Sequence, residues 1–316
     1  MLKRKLNSIW TKKGVQVVQE TKLSKFTSSL FVLPYFIVFV LFLLIPLIYG
    51  TYISFHDWDL LGSTHRFVGF SNYAKLFDPS TYFYSVFMNG LWNTAKFVVF
   101  SVPILIIGGL LLALLLQHLP DKVKGIFRTI FFISYCISVS VIAVLWLWLL
   151  DTNSGLFNHL LSKIGAAPIQ WLTEMPYAWI SIVAATVWWT VGFNMIIYIN
   201  ALNEVPNELY EAGSVDGATP WQKFWNITLP SIRPVMVFTI VTSTIASFNI
   251  YGQPYLMTRG GPGTSTKVLL MEIVDQAFVQ RQLGIASAMA ILMALIMIVI
   301  SIIQFRLTRN SEGSVA

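Results

Sequence analysis

Apolar residues in this chain run in long unbroken blocks, with the polar residues held between them. Six blocks stand out: residues 30–53, 97–116, 129–150, 177–202, 234–258 and 282–305. A bilayer core of about 30 Å takes roughly 20 residues of helix. Each block reaches that length, and none contains Asp, Glu, Lys, Arg or His. The pattern predicts an all-α membrane protein with six transmembrane helices. No small-x-small cleavage signature follows the first block, which therefore reads as an anchor and not a removed leader.

The polar segments set the orientation. With the N-terminus inside, the inner segments carry 14 Lys and Arg and the outer loops carry 6. Basic residues collect on the cytoplasmic side, so both termini are expected inside. Lys96, at the outer end of the second block, can snorkel to the interface. The expected organisation is a basic segment 1–29, a six-span domain 30–305 and a cytoplasmic tail 306–316. Trp146, Trp148, Trp171, Tyr177 and Trp179 sit near block ends, as interfacial belts would. Gly109 and Ala113, four apart, suggest close helix packing in the second span.

Composition narrows the function. Of 316 residues 56% are hydrophobic and 11% charged, against about 25% charged in soluble domains. The net charge of +7 follows topology and builds no nucleic-acid groove. The one cysteine, Cys136, reads as a small core residue. The four scattered His signal no metal site. The blocks lack the ionisable residues of an intramembrane enzyme, and no filter-like loop suggests a channel.

Residues 203–233, the longest inner loop, are patterned. Pro206 suits a first helical position, with Glu208 and Glu211 early in the helix. Gly217 suits a helix stop in the left-handed region. Thr219, Pro220 and Gln222 fit N-cap, N1 and N3 of a capping box. A second short helix should reach about Ile227 and end at Pro230. The loop therefore reads as helix, tight turn, helix, with Trp221, Phe224 and Trp225 needing a partner or the spans to bury them.

Glu211-Ala212-Gly213, then Asp216-Gly217, nine residues, and Ile227-Thr228-Leu229-Pro230 resemble the EAA loop of bacterial ABC-importer permeases. Gly213 departs from the usual Ala, which softens the helix by up to about 1 kcal/mol. The segment 255–262, YLMTRGGP, resembles the external loop before the last span in carbohydrate permeases of the maltose and glycerol-phosphate type. Phe67–Tyr73 (FVGFSNY) and the pair Asn93, Thr94 fit the same group, on the side of the maltose F-type subunit, without its large external domain.

The resemblance implies a permease subunit in the bacterial cytoplasmic membrane. It would work with a second permease, two ATPase subunits and an extracytoplasmic solute-binding protein. ATP and Mg would be held by the ATPase subunits, with no cofactor in this chain. The loop residues implied in ATPase coupling are Glu211, Ala212, Gly213, Asp216, Gly217, Trp221, Phe224, Leu229 and Pro230. The implied substrate path takes Trp188, Val191, Gly192 and Met195 from the fourth span. It takes Ser243, Ser247 and Ile250 from the fifth, and the polar Asn249 and Tyr251 at its end are added to it because polar groups in a span tend to face the bundle interior. Trp188, Gly192 and Met195 share a helix face by spacing, as do Ser243, Ser247 and Ile250. Asn194 and Gln253 are further polar candidates. The implied cargo is a sugar or oligosaccharide; the alternative is another solute such as glycerol phosphate or a polyamine. The Gly-rich run 260–267 ends in Lys but lacks Gly-Lys-Ser/Thr, so it is no phosphate loop.

Overall fold

The structure, a computed structural model, describes residues 22–62 and 65–309. Most of the expected basic segment 1–29 and of the tail 306–316 lies outside the described residues. The chain divides into two units, Met1–Tyr52 and Ile53–Ala316.

In the first unit, α1 (Lys22–Phe39) passes through one widened turn, Val40–Leu44, towards α2 (Ile45–Ser54). The apolar stretch Phe31–Ser54 is long enough to cross a bilayer. Its large side chains from Phe31 to Tyr52 are exposed, save the half-exposed Val40.

The second unit opens with two short antiparallel strands, β1 (His56–Trp58) and β2 (His65–Phe67). His56 pairs with Phe67 and Trp58 with His65. An all-α reading missed this ribbon, because three-residue strands are too short to show a period of two. The FVGFSNY motif begins at its end. Gly69 takes φ +56°, a region open to glycine. Asn72, buried at the start of α3 (Ser71–Phe77), donates to the carbonyls of Ser54 and His56, both at 2.9 Å.

Four long helices form the bundle: α4 (Tyr82–Gln117), α8 (Tyr177–Asn203), α11 (Leu229–Phe248) and α13 (Leu283–Arg309). At about 1.5 Å per residue, α4 is about 54 Å long and outruns a bilayer core. A Cβ on Gly109 would lie 2.9 Å from the Asn194 Cβ and 3.2 Å from the Met195 N. Only a small residue permits that approach. The α4–α8 seam continues into an apolar core with Leu110, Ala113, Met195, Tyr198 and Ile232. The Tyr198 hydroxyl lies 2.6 Å from the Thr239 Oγ1, which joins α8 to α11.

The third apolar block is not one straight helix. The helical stretch that begins with α5 (Asp121–Ile133) bends by 103° into α6 (Val139–Leu149). Between them Ser134 donates back to the Phe131 carbonyl and lies 3.2 Å from the Trp188 carbonyl. Ser138 has an extended backbone and starts the next helix. The described residues hold five helices able to cross a bilayer, or six if the bent pair counts as one. Cys136, at the break, is exposed, against its reading as a core residue.

The tryptophans depart from a simple belt. Trp146 and Trp179 are buried. Trp179 donates to the Ser265 carbonyl at 3.0 Å. Trp146, Phe157, Trp171 and Tyr177 form a chain of ring contacts around α7 (Leu156–Lys163). Trp148 is exposed. The segment before the last helix holds α12 (Leu269–Val274), which continues into a widened turn, Asp275–Val279.

Candidate functional sites

Two features concentrate chemistry at different places in the bundle. The first is the loop after α8. Here α9 (Asn207–Val215) ends in a Schellman turn. Ala218 N donates to the Gly213 carbonyl at 2.9 Å and Gly217 N to the Ser214 carbonyl at 3.2 Å. Gly217 sits at φ +74°. The capping box is present: Gln222 N donates to the Thr219 Oγ1, and Thr219 N to the Gln222 Oε1 at 2.8 Å. It opens α10 (Pro220–Lys223). Pro206 flanks α9 as its N-cap rather than occupying the first helical position.

Pro230 does not end the helix. A widened turn, Phe224–Thr228, carries α10 into α11. Leu229 N bonds back five residues, to the Phe224 carbonyl. Such a turn opens the backbone where a proline ring would otherwise strike a carbonyl.

The two short helices are tied together. The Tyr210 hydroxyl meets the Thr228 Oγ1 at 2.9 Å. Lys223 donates to Ser214. A Cβ on Gly213 would lie 3.0 Å from the Ile227 Cδ1. Phe224, Ile227 and Leu229 pack on the core with Tyr210. Glu211, Ala212, Asp216, Gly217 and Pro230 are exposed. Trp221 is 69% exposed and Trp225 48%. Their rings meet edge to face at 5.6 Å, and Trp221 stacks with Phe224 at 6.0 Å. The outward aromatic face is thus Trp221 with Trp225, while Phe224 faces partly inward.

The second feature is a cavity of about 390 Å³ among α4, the α5–α6 break, α8 and the end of α11. Its aromatic wall is Tyr135, Trp189 and Phe193; Tyr135 and Phe193 stack at 4.9 Å. Trp189 is held by donation to the Ile137 carbonyl at 3.0 Å. The polar wall holds Asn194, Ser243, Ser247, Asn249 and Gln253. Asn194 donates to the Ser243 Oγ at 3.2 Å, and the Ser247 hydroxyl meets that of Ser101 at 3.2 Å. Thr186, Thr190 and Thr242 each donate to the carbonyl four residues back. That use of the hydroxyl proton leaves oxygen lone pairs as acceptors.

The expected fifth-span residues Ser243, Ser247, Asn249, Ile250 and Tyr251 all line this cavity. The four expected from the fourth span do not. Trp188 is 43% exposed and meets Trp146 edge to face. A Cβ on Gly192 would fall 2.0 Å from the Phe131 carbonyl oxygen, so this position serves close approach to α5. Val191 is buried beside Gly108. Met195 is in the core against α4. The lining face of α8 carries Thr186, Trp189, Thr190, Phe193 and Asn194. The polar pattern Thr186, Thr190, Asn194, at steps of four, was the signal for that face. Tyr135 gave none, because it lies at an unforeseen break.

At the end of the bundle marked by Trp179, the YLMTRGGP loop is pinned down. Asn93 donates to the carbonyls of Thr264 at 2.9 Å and Lys267 at 3.0 Å. The Thr94 hydroxyl accepts from Leu269 N at 2.9 Å. Arg259 has φ +54° and lies over the Tyr255 ring at 5.3 Å. Lys267, the last residue of the Gly-rich run, bridges Glu272 at 2.9 Å and Asp275 at 2.7 Å. Burial pushes the Glu272 carboxyl above its usual range, and Lys267 offsets this only in part. Burial acts to lower the Lys267 ammonium, but hydrogen bonds to Asp275 and Glu272 outweigh it and the net shift is upward.

Residues 105–312 match the family described as binding-protein-dependent transport system inner membrane component. The chain is 33% identical over 92% of its length to the probable ABC transporter permease protein YurN of Bacillus subtilis (strain 168), covering 98% of that protein. It is 30% identical over 90% of its length to the arabinooligosaccharides transport system permease protein AraP of the same organism, covering 89% of it. Among solved structures, it aligns with a TM-score of 0.78 and 26% identity to a chain of a bacterial alginate ABC transporter in complex with an alginate pentasaccharide-bound periplasmic protein. The match covers 90% of this chain and 94% of that one.

Proposed function

The chain belongs to the family of inner membrane components of binding-protein-dependent transport systems, and from that premise we propose that it is the permease subunit of an ATP-binding-cassette importer carrying a sugar or oligosaccharide. The observation that carries the cargo class is the cavity. One wall offers flat aromatic faces for a sugar ring, and the other offers amides and hydroxyls that can exchange hydrogen bonds with its hydroxyls. The oligosaccharide cargo in the names of AraP and of the alginate transporter supports this reading.

In this reading the chain crosses the membrane six times with both termini inside, counting the bent α5–α6 pair as one span. Residues 203–233 are cytoplasmic. Their two capped helices dock on a separate ATPase subunit and carry its motion into α8 and α11. Glu211, Ala212, Gly213, Asp216 and Gly217 shape the docking surface. Trp221, with Trp225 beside it, supplies an exposed apolar anchor. Phe224, Leu229 and Pro230 join that surface to the bundle. ATP and Mg belong to the ATPase pair. A second permease and an extracytoplasmic binding protein complete the complex, and the latter delivers cargo to the end that carries the YLMTRGGP loop.

The test is reconstitution. In liposomes with the second permease, the ATPase subunits and the binding protein, the sugar that co-purifies with the binding protein should accumulate only with ATP inside. The purified chain alone should hydrolyse no ATP. Uptake without the binding protein, or hydrolysis by the chain alone, would contradict the proposal.

A further inference from the structure

A second groove, distinct from the cavity, runs between α5 and α8. It encloses about 400 Å³ and is lined by Arg128, Thr129, Phe132, Ile133, Cys136 and Ile196. Its two ends differ. Arg128 is the lining residue nearest the start of α5, with Lys124 four residues before it and hence on the same side of the helix. Phe132, Ile133 and Ile196 make the rest apolar. Among the described residues neither the Lys124 ammonium nor the Arg128 guanidinium takes part in an ion pair or a hydrogen bond. The helix face beside them is open: nothing lies within 4 Å of a Cβ placed on Gly125.

We propose that this groove binds one anionic phospholipid, with its phosphate between Lys124 and Arg128 and an acyl chain along Phe132, Ile133 and Ile196. Charge complementarity selects the occupant. Two unpaired cations at one end of an apolar trough, on a helix of a membrane component, match a negative headgroup joined to a hydrocarbon chain. Basic grooves between membrane helices hold such headgroups by this division of labour. A zwitterionic lipid fills the apolar part equally well but gives the cations no net charge to hold. The inference does not depend on what the chain transports.

Cys136 is exposed and lines the apolar end of the groove, so its alkylation reports occupancy. The experiment takes the purified complex containing the full chain, in detergent, and follows maleimide modification of the Cys136 peptide by mass spectrometry. Phosphatidylglycerol should slow the reaction, while phosphatidylcholine and inorganic phosphate should not. Replacing both cations, Lys124→Gln with Arg128→Gln, should raise the phosphatidylglycerol needed for half-protection about 25-fold, at about fivefold per charge. Both replacements are on an exposed or half-exposed helix face, and the parent rate without lipid should be unchanged. Equal protection by phosphatidylcholine would reduce the groove to ordinary lipid contact and overturn the proposal. So would a Cys136 that is unreactive in the lipid-free complex yet reactive in the isolated chain, because a partner protein would then cover it.

Discussion

Asn93 on α4 donates its side-chain amide to the Thr264 carbonyl at 2.9 Å, across 171 positions of sequence. The same amide holds the Lys267 carbonyl at 3.0 Å. The Asn93–Thr94 pair and the stretch 264–269 that follows YLMTRGGP, far apart in sequence, thus form one clasp. Asn93 is buried, so removing it leaves two loop carbonyls with fewer donors. Asn93→Leu should cost about 1–3 kcal/mol, read as a lower thermal midpoint in detergent, with faster labelling of a cysteine placed at the exposed Thr264 in a Cys136→Ala background. The same cysteine reports topology: an impermeant reagent should reach it from outside the cell. Labelling only after membrane disruption would reverse the proposed orientation.

The Lys267 bridge should be harder to break singly than as a whole. Lys267→Met leaves the buried Glu272 carboxylate without its cation. The expected loss is about 1–3 kcal/mol, below the full buried-pair figure because Lys267 is partly exposed. Adding Glu272→Gln should recover part of it. The pH dependence follows from the two shifts. The Lys267 ammonium titrates above its ordinary 10.5, so its contribution is full below that value and lost as pH rises through the higher folded value. The Glu272 carboxyl titrates above its ordinary 4.5, so the folded state holds its proton more readily. That site favours folding most at low pH, and the gain is lost as pH rises from 4.5 through the folded value. A thermal midpoint of the Glu272→Gln variant that keeps the parent's slope across this acidic range would contradict the assignment.

Neighbouring tryptophans on α8 should behave differently. Trp189 lines the cavity and Trp188 faces away from it. In the reconstituted complex, Trp189→Ala should reduce uptake at least about tenfold, the equivalent of one lost interaction of about 1.4 kcal/mol in the transport cycle. Trp188→Ala should leave uptake within about twofold. Equal loss in both would show that the lining face has been misplaced.

That pair marks where sequence reading stopped. The lengths of the apolar blocks carried the candidate spans, five among the described residues or six with the bent pair as one, because a bilayer imposes length directly. The loop turn at Gly217 and the cap at Thr219 were legible because each rests on local backbone chemistry. The α8 face was not. Trp188, Gly192 and Met195 share a face, but which face looks inward depends on Gly192 meeting the Phe131 carbonyl, a contact made by a separate helix. The break at Ser134–Ser138 is also tertiary. It rests partly on Ser134 reaching the Trp188 carbonyl, and it brings Tyr135 to the cavity wall. Pro230 misled for a related reason: a widened turn accommodates a proline that local rules read as a stop.

Gly213 offers a finer test of the loop. Gly213→Ala gains up to about 1 kcal/mol of helix propensity, while its Cβ meets the Ile227 Cδ1 at 3.0 Å. That atom is the tip of a flexible side chain and can rotate aside. The substitution should therefore be neutral or stabilising, with uptake kept. Gly213→Val adds a branched side chain to the same tight spot and should lower uptake while the protein remains in the membrane.

The claim that residues 203–233 couple ATP hydrolysis to transport is tested most directly at Gly217. Its φ of +74° excludes β-branched residues, yet nothing lies within 4 Å of an added Cβ. Within this chain a defect in Gly217→Val therefore comes from backbone strain at the turn, and bulk added at the docking surface is what the Asn variant controls for. Gly217→Asn, which tolerates the left-handed region better, is the control. The measurement pairs membrane abundance with ATP hydrolysis of the reconstituted complex stimulated by loaded binding protein. Gly217→Val should reach normal abundance and lose most of the stimulation, with Gly217→Asn keeping most of it. Normal abundance with full stimulation in Gly217→Val would contradict the coupling role of this loop.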